Sequence, residues 1–298
     1  VLTTANAQRM HEAAVVRRGA AGLACDGRRL MPPVRMAEHD RDSLPYISFW
    51  WLGDQSRGWG VVVSPARGAD WRARIAMGEE LELEADFSCE RYPGSIPLVT
   101  TTVPGTVPGE LLVTAHLCHP RPGANDNASG AAAALETARV LHALVRSGVL
   151  PEWRRTVRFL WMPEFTGTYA WQAQASRSTR DIVAAINLDM VGESQSACGS
   201  TFLLEQAPHF LGSFADELLS RVRTAAQDWV QDFSGAGHYS LARLADVPYS
   251  GGSDHALWID PAFGVPCPML IQWPDRYYHT DLDSPDRCDP GSLALAVR

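Results

Sequence analysis

The chain has 298 residues, 46% hydrophobic and 20% charged, with 24 glycines and 20 prolines. That is the composition of a globular protein, long enough for about two domains, and it excludes a collagen-like, coiled-coil or disordered chain. The net charge of −8 argues against an extended phosphate-binding surface, so nucleic acid is not an expected partner.

No apolar run approaches the roughly 20 residues needed to span a bilayer, so no membrane partner is expected either. The six cysteines are dispersed, without a Cys-x-x-Cys pair, which points to a reducing, cytoplasmic setting.

In chain order, residues 7–18 read as a short helix and Gly22 to Cys25 as a buried strand. Two further apolar runs, Tyr46 to Trp51 and Trp59 to Val63, read as strands. Leu81, Leu83 and Ala85 alternate with Glu82, Glu84 and Asp86, the period-two pattern of a strand with one wet face. These elements suggest a smaller β-rich module over residues 1–90.

Over residues 91–298 strands and helices alternate. Strands are expected at 111–115, 156–161, 182–188 and 269–271, and helices at 128–145, 166–174 and 210–229. Such alternation predicts an α/β fold. Ligands of these folds gather beyond the carboxyl ends of the strands, so the polar residues there carry the functional reading.

Four strand ends supply candidates. The first gives His116, Cys118 and His119, then Asp126 inside Asn125-Asp126-Asn127; the second gives Glu164; the third gives Asp189; the fourth leads to Tyr278, His279 and Asp283. Carboxylates and neutral imidazoles held on a rigid scaffold are what a metal site needs. Taken singly, Asp126 also reads as the N-cap of the following helix, and His255 of Ser253-Asp254-His255 reads as a structural histidine.

As an ordered set, His116, Pro122 to Gly130, Trp161-Met162-Pro163-Glu164, Asn187 to Gly192, Ser253-Asp254-His255 and His279-Thr280 with Asp283 resemble the zinc aminopeptidase-like hydrolases of peptidase family M28. The resemblance implies a three-layer α/β/α mixed sheet of the phosphorylase/hydrolase-like type. More loosely, the first module is similar to a protease-associated domain.

The resemblance further implies one or two zinc ions, with Asp126 bridging, His116 and Asp189 on one ion and His279 on the other. Glu164 would act as general base and Tyr278 would help stabilise the oxyanion. Cys118, Asp254 and Asp283 would orient these groups.

Two positions depart from the family pattern. Glu164 is followed by Phe165, where the family has a second glutamate ligand, and His116-Leu117-Cys118 replaces His-x-Asp. Three donor sets are therefore open. One has a single ion on His116, Asp126 and Asp189; another has His119 in place of the missing glutamate, beside Asp126 and His279; the third has one relocated ion on Asp126, His279 and a loop histidine.

The expected activity is hydrolysis of an amide in a small peptide or amide-containing molecule. A metal-dependent acyl-transfer or cyclising enzyme, or a binding protein on the same scaffold, are the alternatives. The aromatic residues Trp161, Phe165, Tyr169, Trp171, Trp258, Trp273, Tyr277 and Tyr278 are candidates for a substrate wall, or for ordinary core.

Overall fold

The computed structural model describes residues 1–47, 58–90, 92–119, 121–174 and 181–298. The chain divides into two compact units, one of Val1–Gly94 with Arg276–Asp283, the other of Ser95–Asp275 with Ser284–Arg298.

In the smaller unit, β1 (Leu2–Thr3), β2 (Gly22–Cys25) and β3 (Trp59–Val62) form a parallel three-stranded sheet in that order. The first helix, α1 (Ala7–Met10), continues as a π-helix over His11–Val16, which packs Ala14 and Val15 on Leu23. A second helix, α2 (Pro65–Ala76), was not expected from the sequence. Its start is nonetheless written there: the Ser64 hydroxyl accepts from Arg67 N, and Pro65 occupies the first turn, where no N–H is needed. The buried Asp26 takes a two-pronged ion pair from Arg72 of this helix, at 2.6 and 2.7 Å.

The strand expected around residues 81–85 is absent. Residues 79–90 are irregular, and Leu83 and Phe87 are exposed. Alternation alone does not make a strand where no neighbouring edge takes up its N–H and C=O groups. Of the expected strand from Tyr46 to Trp51, residues 48–51 lie outside the described residues.

The larger unit is a seven-stranded mixed sheet, ordered β11-β8-β12-β7-β5-β6-β4. Its strands are β4 (Val99–Val103), β5 (Gly105–His116), β6 (Trp153–Met162), β7 (Ile182–Leu188), β8 (Thr201–Glu205), β11 (Leu244–Val247) and β12 (Met269–Trp273). A separate hairpin of β9 (Trp229–Gln231) and β10 (His238–Ser240) lies before β11. Strands β6, β5, β7 and β12 run parallel, while β4 and β8 pair antiparallel with β6 and β12.

Helices α3 (Gly130–Arg146), α4 (Thr166–Gln172), α5 (Gln195–Cys198), α6 (Ala215–Ala225), α7 (His255–Trp258) and α8 (Pro290–Val297) complete the unit. Successive residues of β6 face opposite sides, as the strand period requires. Val157, Phe159 and Trp161 join a core with α3 and α8, while Leu160 and Met162 join a second core with Trp171 of α4 and Trp258 of α7. The result is the three-layer α/β/α arrangement. The helix expected over residues 210–229 is shorter, covering only α6 after a turn at His209–Leu211.

No disulfide joins the six cysteines. No helix of the described residues is long and apolar enough to cross a membrane.

Candidate metal centre

Because β5, β6, β7 and β12 are parallel, their carboxyl ends share one edge of the sheet. His116 is the last residue of β5, Glu164 lies two residues past β6, and Asp189 directly follows β7. His116 Nε2 stands 3.3 Å from Asp126 Oδ1 and 3.5 Å from Asp189 Oδ1. His119 Nε2 stands 3.5 Å from the other oxygen of Asp126. Donor atoms of His116, Glu164 and Asp189 all lie within 4.8 Å of one another.

Asp126 does not cap α3. That work falls to Asn127, whose Oδ1 accepts from Gly130 N and Met190 N, both at 3.0 Å, while its Nδ2 donates to Leu188 O at 2.9 Å. Asn125 Oδ1 accepts from Gly192 N at 3.0 Å, and Ser129 Oγ accepts from Val191 N at 2.9 Å. The two asparagines and the serine thus tie the Asp126 loop to the Asp189 strand end. Gly130 is required at this junction, since a Cβ there would meet Asn127 Oδ1 and Leu188 O at 2.3 Å. These flanking roles were missed from the sequence, although the Asn-Asp-Asn pattern carried the signal.

Both histidines have their tautomer set by the main chain. His116 Nδ1 is 3.2 Å from Cys118 O, and His119 Nδ1 is 2.5 Å from Arg121 O. A carbonyl can only accept, so each Nδ1 carries a hydrogen, which leaves Nε2, on the carboxylate side, as the nitrogen able to bind a metal. The Cys118 thiol, at 3.9 Å, is not the principal orienting group for His116; its sulfur instead accepts from Glu164 N at 3.0 Å.

Asp254 is fully buried and holds the loop that carries Glu164. Its Oδ1 accepts from Phe165 N at 2.8 Å and from Thr168 Oγ1 at 2.6 Å. Two bulky residues with positive φ directly follow the site carboxylates: Phe165 after Glu164, at 54°, and Met190 after Asp189, at 60°. Such conformations persist where surrounding contacts over-determine them. The bonds from Phe165 N to Asp254 and from Met190 N to Asn127 are those contacts.

The electrostatics ask for a cation. Burial pushes the Glu164 carboxyl up to about 8, opposed by His116 and reinforced by Asp189, Asp254 and Asp126. Burial works against a charged His116, but Asp189 and Asp126 outweigh it and hold the imidazole well above its ordinary value. Asp189 Oδ1 is buried and has no hydrogen-bond donor among the described residues. Nitrogen and carboxylate donors, tautomerically fixed and short of positive charge, fit a borderline-soft divalent ion.

Tyr278, His279 and Asp283 belong to the smaller unit. The Tyr278 and His279 rings stack at 3.7 Å, and Asp283 N donates to Thr280 O, closing a turn. His255 is structural, its Nε2 being 2.9 Å from Glu205 Oε1. Trp161, Trp171 and Trp258 are core residues rather than a substrate wall, and Tyr169 is exposed.

The chain belongs to peptidase family M28, whose model matches residues 98–297. Among solved structures, it is similar to a candidate peptidase from Clostridium acetobutylicum, with a TM-score of 0.62 and 20% identity over 90% of this chain and 54% of that one. A zinc aminopeptidase from Bacillus subtilis gives 0.60 and 18%, over 100% of this chain and 68% of that one. A peptidase M28 precursor from Shewanella amazonensis gives 0.59 and 20%, over 96% and 60%. At these identities the likeness is one of fold, and the chain spans little more than half of the Clostridium protein. No curated protein matches the sequence.

Proposed function

We propose that the protein is a zinc-dependent peptidase-like hydrolase that cleaves an amide bond in a small peptide or amide-containing molecule. The observation that carries this reading is the pair of imidazole Nε2 atoms facing opposite oxygens of Asp126, with Asp189 and Glu164 beside them.

In this reading His116, Asp126 and Asp189 hold one ion. His119 faces the second oxygen of Asp126 and takes the place of the glutamate that Phe165 replaces; on the sequence resemblance, His279 is a further donor to that second position. When bound, zinc supplies Lewis acidity, polarising a carbonyl and acidifying water.

Glu164 takes the proton from the attacking water and delivers it to the leaving nitrogen. Its lone-pair oxygens are suited to this because burial and neighbouring carboxylates make it a stronger base than an exposed glutamate. Asp254 keeps the Glu164 loop in place through Phe165 N and Thr168 Oγ1. Tyr278 is proposed as a donor to the developing oxyanion.

The test pairs elemental analysis of zinc-reconstituted protein with a mass-resolved screen of short peptides and acyl amides. Glu164→Gln is expected to keep its zinc and lose amide cleavage by about 10²–10⁴-fold. Loss of substrate mass without cleavage would support the cyclising alternative, and full activity in Glu164→Gln would sink the assigned base.

A further inference from the structure

Within the smaller unit, the segment Arg276–Asp283 is gripped along its length by residues 35–46. Arg276 donates through Nε and Nη2 to the carboxylate of Asp40, at 2.8 and 3.0 Å. The buried Arg35 donates Nη1 to Tyr278 O at 2.7 Å. Tyr46 N donates to His279 O at 2.6 Å, and Asp281 N donates to Leu44 O at 3.0 Å. Leu44 N in turn donates to Asp281 Oδ1 at 2.8 Å, and Pro45 and Thr280 form a backbone bridge.

These contacts centre on one unusual residue. His279 has φ of 52°, a left-handed conformation that residues other than glycine seldom adopt. The carbonyl before it is held by Arg35 and its own carbonyl by Tyr46 N, so the peptide planes on both sides of the strained Cα are fixed. The imidazole is then flanked by two rings, Tyr278 stacked at 3.7 Å and Tyr46 tilted at 4.5 Å. The two donors thus fall on consecutive main-chain carbonyls, one on each side of a residue at positive φ.

We propose that residues 35–46 form a clamp that aims the His279 imidazole as a metal donor, with Arg35, Asp40 and Tyr46 as its positioning residues. The proposal rests on the reading of His279 as a zinc donor. The clamp and the segment it grips come from opposite ends of the chain and meet within the smaller unit.

The test is zinc titration of the full-length, metal-stripped chain by calorimetry, with unfolding temperature measured in parallel. His279→Ala is the reference and is expected to lose one of two binding events. Arg35→Met is expected to weaken that same event about 10–100-fold and leave the other unchanged; Arg35→Lys, which restores a donor to Tyr278 O, is expected to recover most of the loss. Asp40→Asn should act in the same direction. It removes only a partly exposed ion pair and tolerates the positive φ of 46° at that position, so it keeps the test alive if Arg35→Met misfolds.

If His279→Ala loses an event while Arg35→Met and Asp40→Asn, both folded, bind zinc as the wild type does, the clamp is refuted. If His279→Ala itself binds both ions with unchanged affinity, the reading of His279 as a donor is what fails.

Discussion

Replacing Asn127 by alanine removes three hydrogen bonds at once from a residue that is 4% exposed. The groups left behind are the N–H of Gly130, the N–H of Met190 and the carbonyl of Leu188. A buried polar group that loses its partner costs about 1–3 kcal/mol, and water entering the space left by the amide would recover part of that. We therefore expect Asn127→Ala to lose about 3 kcal/mol, a large share of the roughly 5–15 kcal/mol that holds a typical domain folded.

Urea unfolding followed by tryptophan fluorescence measures the loss, and zinc titration measures its local consequence. Since Asn127 joins the Asp126 loop to the Asp189 strand end, zinc affinity should fall about 10–100-fold. Asn127→Asp keeps both acceptor bonds and should fall between alanine and wild type in stability. A loss below about 1 kcal/mol together with unchanged zinc affinity would refute the idea that this side chain holds the two carboxylates together.

Gly130→Ala is expected to be more damaging still, because the new Cβ meets a backbone carbonyl that cannot move aside; soluble, fully folded Gly130→Ala protein by circular dichroism would contradict this. Cys118→Ala should leave zinc affinity within a few-fold of wild type, as the carbonyl rather than the thiol receives His116 Nδ1, while lowering kcat through loss of the sulfur that accepts Glu164 N. A collapse of zinc binding in that variant would reassign the thiol as a ligand.

Burial opposes ionisation of Glu205, but donors from His255, Ser250 and Gly251 outweigh it, so its carboxyl lies below its ordinary value. A depressed carboxylate contributes stability above the unfolded-state value near 4.5 that is lost as pH falls through the lower folded value. Glu205→Gln should therefore show a shallower acid limb in unfolding profiles below about pH 4.5 than the wild type, and identical limbs would discount the contribution.

The sheet centre was legible because the carboxyl halves of β5, β6 and β7 are largely buried on both faces and read as apolar runs, such as Phe159 to Met162. The polar residue closing each run then marked the site. What stayed hidden depended on partners distant in sequence. Leu81 to Asp86 has the alternation of a strand and no edge to join, whereas β8 and β11 are short and recognisable only once β12 is beside β8. The mixed direction of the sheet is likewise a property of pairing.

In the site, the polar residue types at the strand ends could be read from the sequence, but Asp126 was open to being a cap until Asn127 was seen capping in its place. The way His119 turns towards Asp126 depends on a carbonyl two residues further on, to which residue identity gives no clue.

That pair of carbonyl contacts has an evolutionary consequence. His116 and His119 are each oriented by the peptide oxygen two positions downstream, at residues 118 and 121, and every amino acid supplies that oxygen. Side chains at 118 and 121 are therefore released from the duty of steering the imidazoles. A lineage that exchanged a carboxylate for Cys118 would pass through no intermediate in which His116 lost its bearing, and the freed thiol could be recruited to the neighbouring Glu164 loop.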